Sequence, residues 1–283
     1  MPLVKEKYIP LFFIVPALAY EAYFSFYPTF SAVYGSFLTA SGKFSTVNYK
    51  ELVGLGVYHA ITNTVVVTIG ALALQFLLGF AIASILIRSF RGRNTFSALL
   101  MIPFATATVV AAYIFSNVFS PVGGYANSLL SFFGMASVNW NGAGSSFIIN
   151  VLQLVVSDSW KNTPIVALIL LAGMTAIPKD LYDAAAVDGA GWFSRLIHIT
   201  IPNLIGFIVI ALVIRGVSEF NIFAIALLIF PHKLLTTLVY GLFSLAAKPY
   251  LSFAGASVLL AFILVFVAIV LVLRKVFAAK EAY

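Results

Sequence analysis

The constraint that governs this chain is the length of its uncharged stretches. No Asp, Glu, Lys or Arg occurs from Ala60 to Ile87, and none from Asn94 to Ser157. A helix needs about 20 apolar residues to cross the hydrocarbon core of a bilayer. The first stretch therefore suffices for one crossing, and the second is far too long for one. Composition agrees, at 62% hydrophobic and 9% charged residues, against roughly half and a quarter in an average soluble domain. Helical bundles and closed barrels both satisfy their backbone polar groups inside a membrane. The long continuous runs lack the ~10-residue alternating blocks of a barrel, so the chain reads as an all-α integral membrane protein.

The apolar runs divide it into six spans, about 9–38, 60–87, 95–119, 147–175, 201–230 and 251–273, within one transmembrane domain covering 1–283. Ala17-Leu18-Ala19 resembles a signal cleavage site, but Pro10 and Pro16 interrupt the would-be core and the apolar run continues past it, so the segment reads as a retained first span. Between spans three and four, Ser120 to Ser146 is rich in Gly, Asn and Ser, as loops are. Leu129 to Met135 fits a short interfacial helix there, with Trp140 as an interfacial aromatic.

The net charge of +7 follows the bias of Lys and Arg toward cytoplasmic loops rather than any affinity for nucleic acid. With the amino terminus inside, inner segments hold Lys5, Lys7, Arg88, Arg91, Arg93, Lys179, Arg195, Arg274, Lys275 and Lys280, while outer ones hold Lys43, Lys50, Lys233 and Lys248. This asymmetry predicts both termini in the cytoplasm of a multi-pass cell-membrane protein. Cysteine is absent, which excludes disulfides and thiolate chemistry. The three histidines share no helical spacing, so no metal site is expected.

A polar island, Ile177 to Pro202, then falls on the inner side between spans four and five. Pro178 suits a helix start, Asp180 and Asp183 place negative charge at its positive end, and Gly189 suits its termination. Leu181, Ala184, Ala185 and Asp188 recur at helical spacing and share a face. A second short helix, Trp192 to about Thr200, follows, and Pro202 begins the next span. On pattern alone the hairpin is either a surface connection between two spans or a docking element.

These residues resemble a known family, the permease subunits of binding-protein-dependent ABC importers. The family's cytoplasmic signature reads Glu-Ala-Ala, then Gly after three intervening residues, then Ile-x-Leu-Pro. Here it reads Asp183-Ala184-Ala185-Ala186-Val187-Asp188-Gly189, then Ile199-Thr200-Ile201-Pro202. The lead-in Ile177 to Tyr182 is similar to the carbohydrate branch, that of maltose and glycerol-phosphate permeases. So are Pro16-Ala17-Leu18, Tyr27-Pro28, Asn63-Thr64, Arg91-Gly92-Arg93, the Pro103 region and Trp160 through Pro164, so the resemblance runs along nearly the whole chain. Two departures stand out: Asp183 replaces the usual Glu, and Ile229-Phe230-Pro231-His232-Lys233 replaces the Gly-Gly-Pro loop frequent after span five.

The resemblance implies a MetI-like type I ABC importer permease fold with a coupling helix between spans four and five. It implies docking of an ATPase subunit through Leu181, Asp183, Ala184, Ala185, Asp188 and Gly189. It further implies a second, distinct permease, two ATPase subunits that bind the ATP and Mg, and an extracytoplasmic sugar-binding protein. The chain itself would be no enzyme and would hold no cofactor: Gly42-Lys43 is followed by Phe44, and no phosphate-binding loop is present.

Charges inside spans default to functional hypotheses. Arg215 and Glu219 lie four apart on span five, and Asp158 and Lys161 three apart on span four, so each can pair on one helix face. With Ser218 and Asn221 they either line a sugar path or fix helix packing. The competing functional class is an ion-coupled secondary transporter using Asp158 and Glu219. A membrane-embedded enzyme is disfavoured by the lack of clustered residues with catalytic spacing.

Overall fold

The computed structural model describes residues 9–140 and 144–280; the charged start with Lys5, Glu6 and Lys7 lies outside them. In chain order the helices are α1 (Ile9–Glu21), α2 (Tyr27–Ser36), α3 (Val47–Gly54), α4 (Val57–Leu86), α5 (Arg93–Ala105), α6 (Thr108–Val118) and α7 (Tyr125–Phe132). They continue as α8 (Phe147–Ala176), α9 (Lys179–Val187), α10 (Trp192–Arg195), α11 (Ile201–Phe220), α12 (Ala224–Ile229), α13 (Leu235–Tyr240) and α14 (Pro249–Lys280). Single π-helical turns join α1 to α2 and α10 to α11. Among the described residues the only β pairing is one bridge, Leu38 to Phe44.

Among the described residues four helical runs are long and apolar enough to cross a membrane: α4, α8, Trp192–Phe220 and Pro249–Lys275. The pair α5 and α6 makes a fifth if counted together, although it bends by 92°. This is fewer than the six spans expected. The unbroken helical run from Ile9 to Ser36 has the length of the first span expected. Span three differs because Thr106 and Ala107 are both extended, with ψ of 131° and 137°, and break the helix three residues after Pro103. Span five ends at Phe220 rather than at residue 230; Asn221 caps it, and α12 is a separate helix.

The chain folds as two compact units, one built from residues up to Tyr58 with Leu238–Leu260, the other from His59–Thr237 with the chain from Ala261 on. In the first, Asn48 donates from Nδ2 to the carbonyls of Ser36 at 2.9 Å and Leu38 at 2.8 Å, fixing the turn after α2. Lys248 pairs with Glu51 at 2.6 Å on the surface.

The second unit holds two apolar clusters. Val67, Ala112, Phe115, Leu154, Ile225 and Ile229 form one. Ala83, Val166, Leu170, Met174, Ile177 and Leu204 form the other, with Tyr182 and Ile199 packed against it. The loop helix α7 starts four residues earlier than expected; Asn127 Oδ1 there accepts from Trp140 Nε1 at 3.0 Å and from the Val138 amide at 3.0 Å.

Helices α8 and α11 approach closely at Gly173, where a Cβ would stand 2.5 Å from Leu204 and 2.7 Å from Phe207. Small residues at such crossings let membrane helices gain van der Waals contact that lipid cannot supply. Gly173→Val is expected to force the pair apart and lower stability by about 1–3 kcal/mol. The thermal denaturation midpoint of the purified protein in detergent checks this; an unchanged midpoint would contradict the packing described.

Candidate functional site

The island forms a hairpin whose first arm is α9. Ile177 and Pro178 are both extended, with ψ of 123° and 134°, and separate α9 from α8. Pro178 occupies the N-cap, one position before the expected helix start, and Asp180 lies in the first turn, where the helix dipole favours an anion. The arm ends in a Schellman motif: Gly189 takes φ of +75°, its amide donates to Ala186 O at 3.1 Å, and the Ala190 amide donates to Ala185 O at 2.8 Å.

The two faces of α9 differ. Tyr182 is half-buried against the Val166–Leu204 cluster, and its hydroxyl lies 3.0 Å from Thr200 Oγ1, closing the hairpin. Leu181, Asp183, Ala184, Val187, Asp188 and Gly189 are exposed, Val187 to 89%. Ala185, expected on the same face as Leu181 and Ala184, is half-buried on the Tyr182 side. The second arm departs from the separate helix expected: α10, the π turn Leu196–Thr200 and α11 form one helical run, Trp192–Phe220. Pro202 does not break it. The π turn shifts the hydrogen bonds just where the proline lacks its N–H, and Asn203 Nδ2 donates to Ile199 O at 2.7 Å.

A buried polar cluster joins α4, α8 and α11. Arg215 pairs with Glu219 one turn along the helix and stands 3.8 Å from Asp158 Oδ2. Gln75 sits at its centre, donating from Nε2 to Asp158 at 3.1 Å and to Glu219 at 3.0 Å, and accepting at Oε1 from Arg215 Nε at 3.1 Å. Asn162 Nδ2 donates to Asp158 at 2.9 Å.

The Arg215–Glu219 pair matches its expected spacing, whereas Asp158–Lys161 does not form. Asp158 turns to the other two helices, and Lys161 Nζ lies 5.7 Å over the Phe104 ring, a cation–π contact. Ser218 and Asn221 are exposed and donate to carbonyls of their own helix, Ile214 at 2.9 Å and Val217 at 2.8 Å. Charge-based reading missed Gln75 and Asn162. The signal for Gln75 was its being the one amide side chain deep in an otherwise apolar run.

The sequence profile of the "binding-protein-dependent transport system inner membrane component" family matches residues 75–280, which includes the hairpin and the cluster. The chain belongs to that family. Among relatives of this inner membrane component, it is 31% identical over 229 residues to the trehalose transport system permease protein of Mycobacterium tuberculosis, covering 77% of this chain and 71% of that one. It is 35% identical over 168 residues to the trehalose/maltose transport system permease protein of Thermococcus litoralis. That match takes in 59% of this chain and 56% of the relative's length.

A permease-like fold accords with solved structures. A chain of a bacterial alginate ABC transporter in complex with a pentasaccharide-bound periplasmic protein superposes with a TM-score of 0.80 at 20% identity, covering 93% of each chain. A second structure, of an ABC transporter importing alginate, gives 0.77 at 21% identity, covering 95% of this chain and 96% of that one. The inner membrane component is thus an integral membrane protein with the fold of ABC transporter permeases.

Beside the hairpin it carries a cavity of about 600 Å³ lined by the carboxyl-terminal ends of α4 and α8, the start of α5, and both hairpin arms. Arg88, Arg93, Lys179 and Arg195 line it, and no carboxylate does.

Proposed function

We propose that this chain is one permease subunit of an ATP-driven importer of a sugar, either a monosaccharide such as glucose or an oligosaccharide, and that α9 docks an ATPase subunit. The observation that carries this reading is the exposed face of α9, where Leu181, Ala184 and Val187 present apolar surface beside Asp188 in the segment that bears the family signature. An apolar helix face with nothing packed on it suits a groove in a partner. Relatives named for trehalose, maltose and arabinooligosaccharides support a sugar as cargo.

The assembly would hold a second permease, two ATPase subunits with their ATP and Mg, and an extracytoplasmic binding protein. The hairpin would face the cytoplasm, with both termini on that side. Transport would follow alternating access, ATP binding and hydrolysis shifting the population between inward- and outward-open states. The buried cluster fits a packing role better than a sugar path, because Arg215, Asp158 and Glu219 contact one another and Gln75 within the chain.

Co-expression with a candidate ATPase and second permease tests the reading. The expected result is co-purification and sugar uptake that depends on ATP and on the binding protein. Uptake driven by an ion gradient with no ATPase present would overturn it in favour of ion coupling through Asp158 and Glu219.

A further inference from the structure

We propose that the cavity beside the hairpin is a binding site for an anionic phospholipid, with the phosphate held by Arg88, Arg93, Lys179 and Arg195. Four cations around one cleft raise its positive potential, and low-dielectric walls focus that field. None of the four has a carboxylate within 4.0 Å among the described residues. Arg195 Nε is buried without a hydrogen-bond partner.

The helix starts at the cavity wall bear on the same ligand chemistry. Arg93 and Lys179 are the first residues of α5 and α9, and neither helix has a side-chain N-cap. The amino-terminal turn of a helix carries unsatisfied N–H groups and partial positive charge, so it attracts anions and disfavours cations. Two helix starts without a side-chain N-cap, that of α9 also carrying Asp180 in its first turn, therefore meet the wall of one cavity.

The lining selects a lipid over a free anion. Phe80, Met174 and Leu196 supply apolar surface to the same lining as the four cations. Phe80 lies six residues before the end of α4 at Leu86, roughly 9 Å at 1.5 Å per residue, and Arg88 follows two residues beyond that end. The cleft thus offers headgroup chemistry and acyl-chain chemistry together, and basic pockets at the ends of membrane helices bind anionic headgroups on these grounds. The proposal requires that the helices span a bilayer and does not depend on which ATPase, if any, the hairpin docks.

Trp192 also lines the cavity and reports on it. The full chain, purified in neutral detergent, is titrated with phosphatidylglycerol or phosphatidylcholine carrying brominated acyl chains, which quench tryptophan on contact. Phosphatidylglycerol is expected to quench at a mole fraction about tenfold lower than phosphatidylcholine, and Trp192→Phe should remove that difference. Two variants, one combining Arg88→Gln with Arg195→Gln and the other Arg93→Gln with Lys179→Gln, should each shrink the preference, and millimolar inorganic phosphate should leave it in place.

Equal quenching by the two lipids in the unaltered chain overturns the proposal, as does a preference intact in both variants. Displacement by inorganic phosphate alone reassigns the site to a free anion. Loss of quenching by both lipids when an ATPase subunit is added makes the cavity a protein contact instead. Neither transport nor ATPase binding enters the first comparison, so a failure of the transport reading leaves this result interpretable.

Discussion

Gly189→Trp is expected to abolish sugar uptake and ATPase co-purification while the protein remains inserted in the membrane. Two effects of the substitution can be separated. The φ of +75° is strained for any residue with a Cβ, at about 1–2 kcal/mol, and Gly189→Ala carries that strain alone. Nothing stands within 4 Å of where a Cβ would be placed, so within this chain a bulky side chain meets no obstacle. A loss with Trp that Ala does not share must then come from a partner pressed against the turn. Gly189→Asn, which tolerates left-handed backbone, should retain most activity. Normal uptake with Trp would end the docking role assigned to this turn.

Arg215→Met should be the most destabilising single change in the buried cluster. It leaves the Asp158 and Glu219 carboxylates beside each other, with side-chain exposures of only 7% and 1%, without their shared guanidinium. Breaking one side of a buried ion pair typically costs about 3–5 kcal/mol, whereas replacing the whole group by neutral residues of similar shape is often close to neutral. A triple variant, Arg215→Met with Asp158→Asn and Glu219→Gln, should therefore regain most of the lost stability. Thermal denaturation in detergent reads both. If the single and triple variants melt together, the cluster is not held by these charges.

Much of this was legible in the chain itself. Membrane class and helical architecture follow from uncharged runs that only a bilayer accommodates, and the first arm of the hairpin follows from Pro178, Asp180 and Gly189, whose local chemistry starts and stops a helix wherever it sits. What escaped depends on neighbours distant in sequence. Spacing of three permits Asp158 to reach Lys161 but does not require it, and Gln75, Asn162 and Arg215 offer better-buried partners. The bend in span three was hidden because Thr106 and Ala107 are compatible with helix, and only their extended backbone, after Pro103, turns the chain. The continuity of α10 with α11 escaped because Pro202 ordinarily marks a boundary, and the π turn that accommodates it has no strong sequence signature. Arg88, Arg93, Lys179 and Arg195 were visible as topology signals, but their convergence on one cavity is a property of the fold.

The π turn at Leu196–Thr200 makes the hairpin mechanically asymmetric. Its second arm shares one continuous backbone with α11, while its first arm meets α8 through the extended pair Ile177 and Pro178. The hairpin is therefore a crank welded to one shaft and hinged to another. If α9 docks an ATPase as proposed, a push on it would enter α11 as rotation or thrust and be carried from Arg195 to Arg215, about 30 Å at 1.5 Å per residue. There it meets the ties that Arg215 and Glu219 make to α4 and α8. In that proposal, stiffness at the far end would decide how much of the stroke reaches the neighbouring helices, so loosening the cluster is expected to weaken transmission even where folding survives.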